Sequence, residues 1–168
     1  RYFNVAGCEP GGSIGQSTPK ATLLVKVACD AAVGSRPGVK IFGTDYPTPD
    51  GTGLRDYIHV EDLASAHLDA LEYLREGGKS TTLNCGYGHG YSVREVLAAV
   101  ERANGAALNI SEEPRRDGDP PELVAVADKI QKVLGWKPEF DDLDTIVRTS
   151  LEWERKIAEQ DPGAYWAA

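Results

Sequence analysis

Short apolar runs bounded by glycine and proline alternate along this chain with longer runs whose apolar residues recur at helical spacing. A half-buried strand shows period two and an amphipathic helix period 3.6, so a chain that alternates them belongs to the α/β class. Residues 1–6 (RYFNVA) read as a strand that ends in the polar, Gly-rich loop Gly7–Gly15. The spacing predicts a helix over 20–33 with Gly34 as its stop, and a short strand at Lys40-Ile41-Phe42. Residues 44–53 are loop chemistry throughout, 55–60 (RDYIHV) a strand, and 62–75 an amphipathic helix that ends at Gly77-Gly78. A strand at 81–85, a glycine loop at 86–90 and a helix at 93–103 follow. Ser92 and Glu95 have the spacing of a capping box, in which each side chain satisfies an orphan backbone amide. The remainder reads as a strand at 108–111, a polar loop at 112–121, a short helix at 128–134 and a long one at 143–159.

Composition narrows what such a chain does. Hydrophobic residues at 41% and charged residues at 26% of 168 are those of a soluble globular protein with one real core. No apolar stretch is long enough to cross a membrane. A net charge of −8 argues against nucleic acid as a partner, although a few placed arginines still suffice for a small anion. Three cysteines without CxxC spacing suit a reducing, cytoplasmic setting, each expected as a buried thiol. The three histidines show no metal-ligand spacing, and His59 on its strand reads as packed rather than catalytic. The chain contains no Met and opens on a strand already under way, so it is expected to be a piece of something longer.

Gly86-Tyr87-Gly88-His89-Gly90 sits between a strand and a helix, with Glu112 and Glu113 further on, as in a dinucleotide-binding fingerprint. The third glycine of that fingerprint falls on Tyr91, whose ring would prop helix and strand apart. A tight turn beside a differently used pocket is therefore the preferred reading of this loop.

Several segments carry a resemblance: RYFNVAG at 1–7, FGTDYPTPDGTGLRDYIHVEDLA at 42–64, LNCGYGHGYSVREV at 83–96, PRRDGDPPELVAVAD at 114–128 and LGW at 134–136. In this order they are similar to the C-terminal part of bacterial UDP-glucose 4-epimerases, which are extended short-chain dehydrogenases. The similarity covers nearly all of the chain. It implies the UDP-sugar-binding region of such an enzyme over 1–168, with a remnant of the Rossmann sheet. That family also has a glycine-rich NAD loop and a Tyr-x-x-x-Lys pair in its N-terminal part. None of the seven tyrosines here has Lys four residues later, so no catalytic residue is assigned to this chain.

The resemblance implies that NAD takes hydride from C4 of the sugar and returns it to the other face while the diphosphate stays anchored. By motif match, Arg55 and Arg116 would clamp the diphosphate, since guanidinium grips phosphate oxygens in a planar fork. Asn4 would bond the phosphate nearest the sugar, and Asp119 the ribose hydroxyls. The backbone around Lys40, Ile41 and Phe42, with the Phe42 ring, would line the uracil site. Tyr2 and Phe3 would lie beside the nicotinamide of the complete enzyme, and Leu123 would stand at the sugar-pocket gate. Leu23 stands where relatives often have a polar residue that touches the nucleotide.

Each residue also has a plainer reading. Arg55-Asp56 resembles a surface ion pair, residues 115–119 a solvated charged turn, and Asn4 a turn cap. A free-standing nucleotide-sugar binding module, or a related dehydratase or decarboxylase, stays open beside the epimerase. A first strand separated from the sheet of an NAD domain would lack neighbours, so self-association or a companion N-terminal half is expected.

Overall fold

The computed structural model describes residues 1–18 and 20–160. The alternation of strands and helices is realised as three small sheets packed among five helices. In chain order the elements are β1 (Asn4–Ala6), α1 (Leu24–Ala32), β2 (Val39–Phe42), β3 (Leu54–Arg55), β4 (Tyr57–His59) and α2 (Val60–Arg75). They continue with β5 (Tyr91–Ser92), α3 (Val93–Asn104), β6 (Ile110–Glu113), β7 (Glu122–Leu123), α4 (Asp128–Leu134) and α5 (Leu143–Gln160).

The segment 54–59 organises the molecule. Its first half, β3, pairs antiparallel with β5 and parallel with β7, and its second half, β4, pairs parallel with β1. Side chains alternate across a strand, so successive residues of β4 enter different cores. Tyr57 joins a cluster built from β2 and the helices α1, α3 and α5, whereas Ile58 joins one built around Ala66, Cys85, Ile130 and Trp136. Residues 1–6 are therefore not a bare strand. Tyr2 bridges Cys85 and Asn4–Ala6 pair with Tyr57–His59, so one edge of the segment is covered, while β1 has no second strand neighbour among the described residues.

Local rules account for the helices. The capping box forms as expected: Ser92 Oγ accepts from Glu95 N, and Ser92 N donates to Glu95. The buried face of α3 is Val96, Leu97, Ala99 and Val100, and the left-handed Gly105 closes its last turn. Full burial of each of those larger aliphatic side chains is worth roughly 1.5–3 kcal/mol. α1 begins four residues later than expected: Lys20 has φ 55° and Leu23, which precedes the first turn, is extended with φ −68° and ψ 130°. α2 begins earlier, at Val60, because the His59 ring accepts from Glu61 N and acts as its N-cap. His59 itself is buried, stacked on Phe140 with ring centres 4.6 Å apart, and its Nε2 lies 3.2 Å from Thr149 Oγ1.

A charged cluster closes α1 against α5. Lys26 Nζ is 2.8 Å from Asp30 and 2.5 Å from Glu154, and all three side chains are buried. One lysine thus serves two carboxylates. Burial, which outweighs the Lys26 contact, pushes the Glu154 carboxyl up to about 7.

Candidate functional site

The strand pairing about Asp56 draws the motif-bearing residues into a row. Asn4 N donates to Asp56 O at 3.0 Å, and Asp56 N donates to Leu123 O at 3.2 Å. Asn4, Arg55 and Leu123 thereby lie on three neighbouring segments of backbone. Arg55 is the fixed member, with its side chain 14% exposed. Its guanidinium donates to Leu54 O at 2.8 Å and to Asp119 Oδ1 at 3.0 Å.

Asp119 reaches the row through a turn in which Asp119 N donates to Arg116 O and Gly118 takes φ 80°. Arg116 Nε and an Arg116 terminal nitrogen both donate to Asp119 Oδ2, at 3.0 and 2.7 Å. Two arginines thus converge on the two oxygens of one carboxylate. Partial burial raises the Asp119 pKa, but the hydrogen bonds and charge of Arg116 and Arg55 outweigh it and hold the carboxyl below its usual range.

Parallel pairing of β2 with β6 aligns Phe42 with Glu113, and just beyond it Arg115 and Arg116 lie over the rings of Tyr46, in the loop after β2, and of Phe42 at the end of β2. The Arg116 guanidinium lies 4.9 Å from the centre of the Phe42 ring, and that of Arg115 lies 4.3 Å from the centre of the Tyr46 ring. Arg115 also pairs with Asp45 at 2.6 Å. Ile41 points into the core, leaving Lys40 and Phe42 on the outer face, with Lys40 in an exposed pair with Glu113 at 2.9 Å. β2 has β6 as its one strand neighbour among the described residues, so its other backbone edge is unpaired. Leu123 is half exposed. Tyr2 is largely exposed beside the His67 ring, and Phe3 packs against the second core cluster. Leu23, exposed, precedes the first turn of α1 without a side-chain capping bond.

The structure thus brings Phe42, Arg55, Arg116 and Asp119 together, sets Leu123 beside Arg55 in the sheet, and places Asn4 on the next strand with Tyr2 and Phe3 immediately before it. Sequence reasoning missed the role of Asp56. Its carboxylate is wholly buried and accepts from Tyr87 N, Gly88 N and Ala125 N at 3.0, 2.9 and 3.1 Å. Arg55-Asp56 is therefore not a surface ion pair. The signal was present, since Asp56 shares its strand face with Ile58, which belongs to the core.

The same contacts decide the glycine loop. The Tyr87 and Gly88 amides are committed to Asp56, and the Glu95 amide at the start of α3 to Ser92. The amides that a dinucleotide fingerprint offers to pyrophosphate are thus already satisfied by protein, so the loop is a tight turn and does not fit that group. The Tyr87 hydroxyl donates to Asp62 at 2.5 Å, which together with burial pushes its own pKa up. All three cysteines are free and buried, and burial pushes the thiols of Cys8 and Cys85 up to about 11. Among the described residues no cluster has the make-up of a metal site, and no helix is long and apolar enough to cross a membrane.

Comparison with known proteins places this geometry. The chain is 59% identical over 157 residues to a UDP-glucose 4-epimerase of Azospirillum brasilense, covering 94% of this chain and 45% of that protein. A UDP-glucose 4-epimerase of Stenotrophomonas maltophila, solved with bound NAD and formylated UDP-arabinopyranose, superposes with a TM-score of 0.91 at 42% identity. That match covers 95% of this chain and 48% of the other. The UDP-Glc/GlcNAc 4-epimerase of Campylobacter jejuni is 49% identical, with a TM-score of 0.77 over 93% of this chain and 47% of its own. The chain spans about half the length of the relatives it matches. The pattern of the NAD dependent epimerase/dehydratase family matches residues 1–86, just over half of the 168, and the chain belongs to that family.

Proposed function

We propose that residues 1–168 are the UDP-sugar-binding region of a UDP-glucose 4-epimerase, and that this chain supplies the anchor for the nucleotide while the sugar turns over. The observation that carries the proposal is the convergence of Arg55 and Arg116 on Asp119 beside Phe42. Two guanidinium groups held on the two oxygens of one carboxylate suit a diphosphate in charge and in bidentate chemistry. Asp119 offers acceptors to the ribose hydroxyls, and the unpaired edge of β2 at Lys40–Phe42 offers backbone groups to uracil. Asn4 reaches the phosphate nearest the sugar, and Leu123 borders the hexose. Similarity to an epimerase solved with NAD and a UDP-sugar supports this assignment.

NAD, when bound, supplies the hydride acceptor for C4. The glycine loop commits its Tyr87 and Gly88 amides to Asp56, and we assign the binding of NAD to a companion N-terminal half, with Tyr2 and Phe3 beside the nicotinamide. Leu68, Leu71 and Leu74 stand three residues apart on α2, each more than half exposed. An apolar ridge of this kind marks a contact surface, either for that half or for a second copy of the chain.

The test has two arms. Calorimetric titration of the chain with UDP-glucose is expected to show binding, and a coupled assay with added NAD is expected to show no conversion of UDP-galactose. A folded chain that fails to bind UDP-glucose refutes the anchor. Turnover in protein free of host epimerase refutes the division of labour.

A further inference from the structure

The aromatic face and one carboxylate oxygen that a nucleoside would use in this site are taken by the group that would hold its phosphates. Arg116 lies over the Phe42 ring and places two nitrogens on Asp119 Oδ2, while Arg55 takes Oδ1. Oδ2 of Asp119 already accepts two hydrogen bonds from Arg116, and a face of the Phe42 ring is occupied by the same guanidinium, so a base that stacks on that face must displace Arg116. Of the two arginines, Arg116 is the one able to leave. Its side chain is 58% exposed on the Gly118 turn, whereas that of Arg55 is 14% exposed and tied to Leu54 O.

We propose that Arg116 and Asp119 form a latch that makes the site selective for nucleoside diphosphates over nucleosides. The inference rests on the nucleotide reading above. Uridine alone must expel Arg116 from Phe42 and Asp119 into water and receives nothing from it in return. A diphosphate instead draws the guanidinium to itself through a bidentate contact of higher charge. That movement uncovers Phe42 for the base and Oδ2 of Asp119 for the ribose. The two parts of the ligand therefore bind with positive coupling, since one displaced side chain serves both.

The latch makes a prediction of opposite sign for two ligands. Arg116→Ala removes a stacked cation and a half-exposed ion pair, together worth roughly 3- to 10-fold in affinity. Uridine, followed by broadening of its H5 and H6 proton signals, is expected to bind Arg116→Ala that much more tightly than the wild-type chain. UDP, followed by calorimetry, is expected to bind it more weakly. Circular dichroism and a thermal melt confirm that the variant, altered at an exposed position, is folded. If UDP weakens while uridine is unchanged, weaker or undetectable, Arg116 is a phosphate ligand only, and the latch falls while the nucleotide reading stands. If UDP binding is the same in both proteins, or absent from both, the clamp reading falls and takes the latch with it.

Discussion

Replacing Asp56 by alanine removes a carboxylate that holds three separate segments together. Tyr87 N, Gly88 N and Ala125 N each lose a charged acceptor at 2.9–3.1 Å, in a place that solvent does not reach. A buried amide left unpaired costs about 1–3 kcal/mol, and water entering the space of the missing carboxylate satisfies one of the three. The expected loss is therefore about 4 kcal/mol, a large part of the roughly 5–15 kcal/mol that stabilises a domain. With a urea dependence of about 2 kcal/mol per molar, the unfolding midpoint falls by about 2 M. Asp56→Asn keeps the shape and one strong acceptor but turns an NH2 toward an amide N–H, and about 2 kcal/mol is expected. The fluorescence of buried Trp136, in the core that Ile58 also enters, makes urea unfolding the direct assay. A loss below about 1 kcal/mol for Asp56→Ala would refute the view that this carboxylate, rather than backbone pairing alone, ties the glycine loop to β4.

Further expectations concern charge, specificity and assembly. Burial raises the Glu154 carboxyl above its unfolded value, so this group favours the folded state below about pH 4.5, and that contribution is lost as pH rises toward about 7. Glu154→Gln is expected to remove this component, and parallel unfolding curves for the two proteins across that window would contradict it. In the enzyme assembled with its NAD-binding half, Leu123→Tyr is expected to depress activity on an N-acetylated UDP-sugar more than on UDP-glucose, by roughly 10- to 200-fold in specificity. Equal losses on both substrates would show that the half-exposed Leu123 is not the gate. Sedimentation of the chain alone is expected to show concentration-dependent association that Leu71→Glu on the exposed face of α2 weakens. A compact monomer at high concentration would end that reading.

Much of this protein was decided within a few residues of chain. Ser92 and Glu95 cap α3 because their spacing lets each reach the other's amide, and Gly105 ends it because a left-handed residue closes the last turn. α4 spans Asp128–Leu134, the residues its periodicity predicted, and Gly135 stops it. The candidate site residues were assigned by family resemblance alone, since without it Arg55-Asp56 and residues 115–119 read as surface charge. Other features had no local cause. β6 runs over Ile110–Glu113 rather than 108–111, because its register is set by Val39–Phe42 and because Leu108 N is taken by Glu101. β7 is two residues long and exists through its pairing with Leu54–Arg55.

The two aspartates draw the line most clearly. In sequence Asp56 stands beside Arg55 and Asp119 stands three residues after Arg116, so both read as partners of the nearest arginine. Asp119 keeps Arg116 and adds Arg55 from 64 positions away, while Asp56 leaves Arg55 and takes three amides 31 to 69 positions away. By itself the sequence determined which segments are helical, the capped start of α3, the glycine stops of α3 and α4, and which faces are apolar. Tertiary structure alone decided which carboxylate would be buried as a tie and which held between two arginines near the surface. The reason is physical: capping and periodicity act over one or two helical turns, whereas the cost of burying a charge depends on what the rest of the chain brings against it.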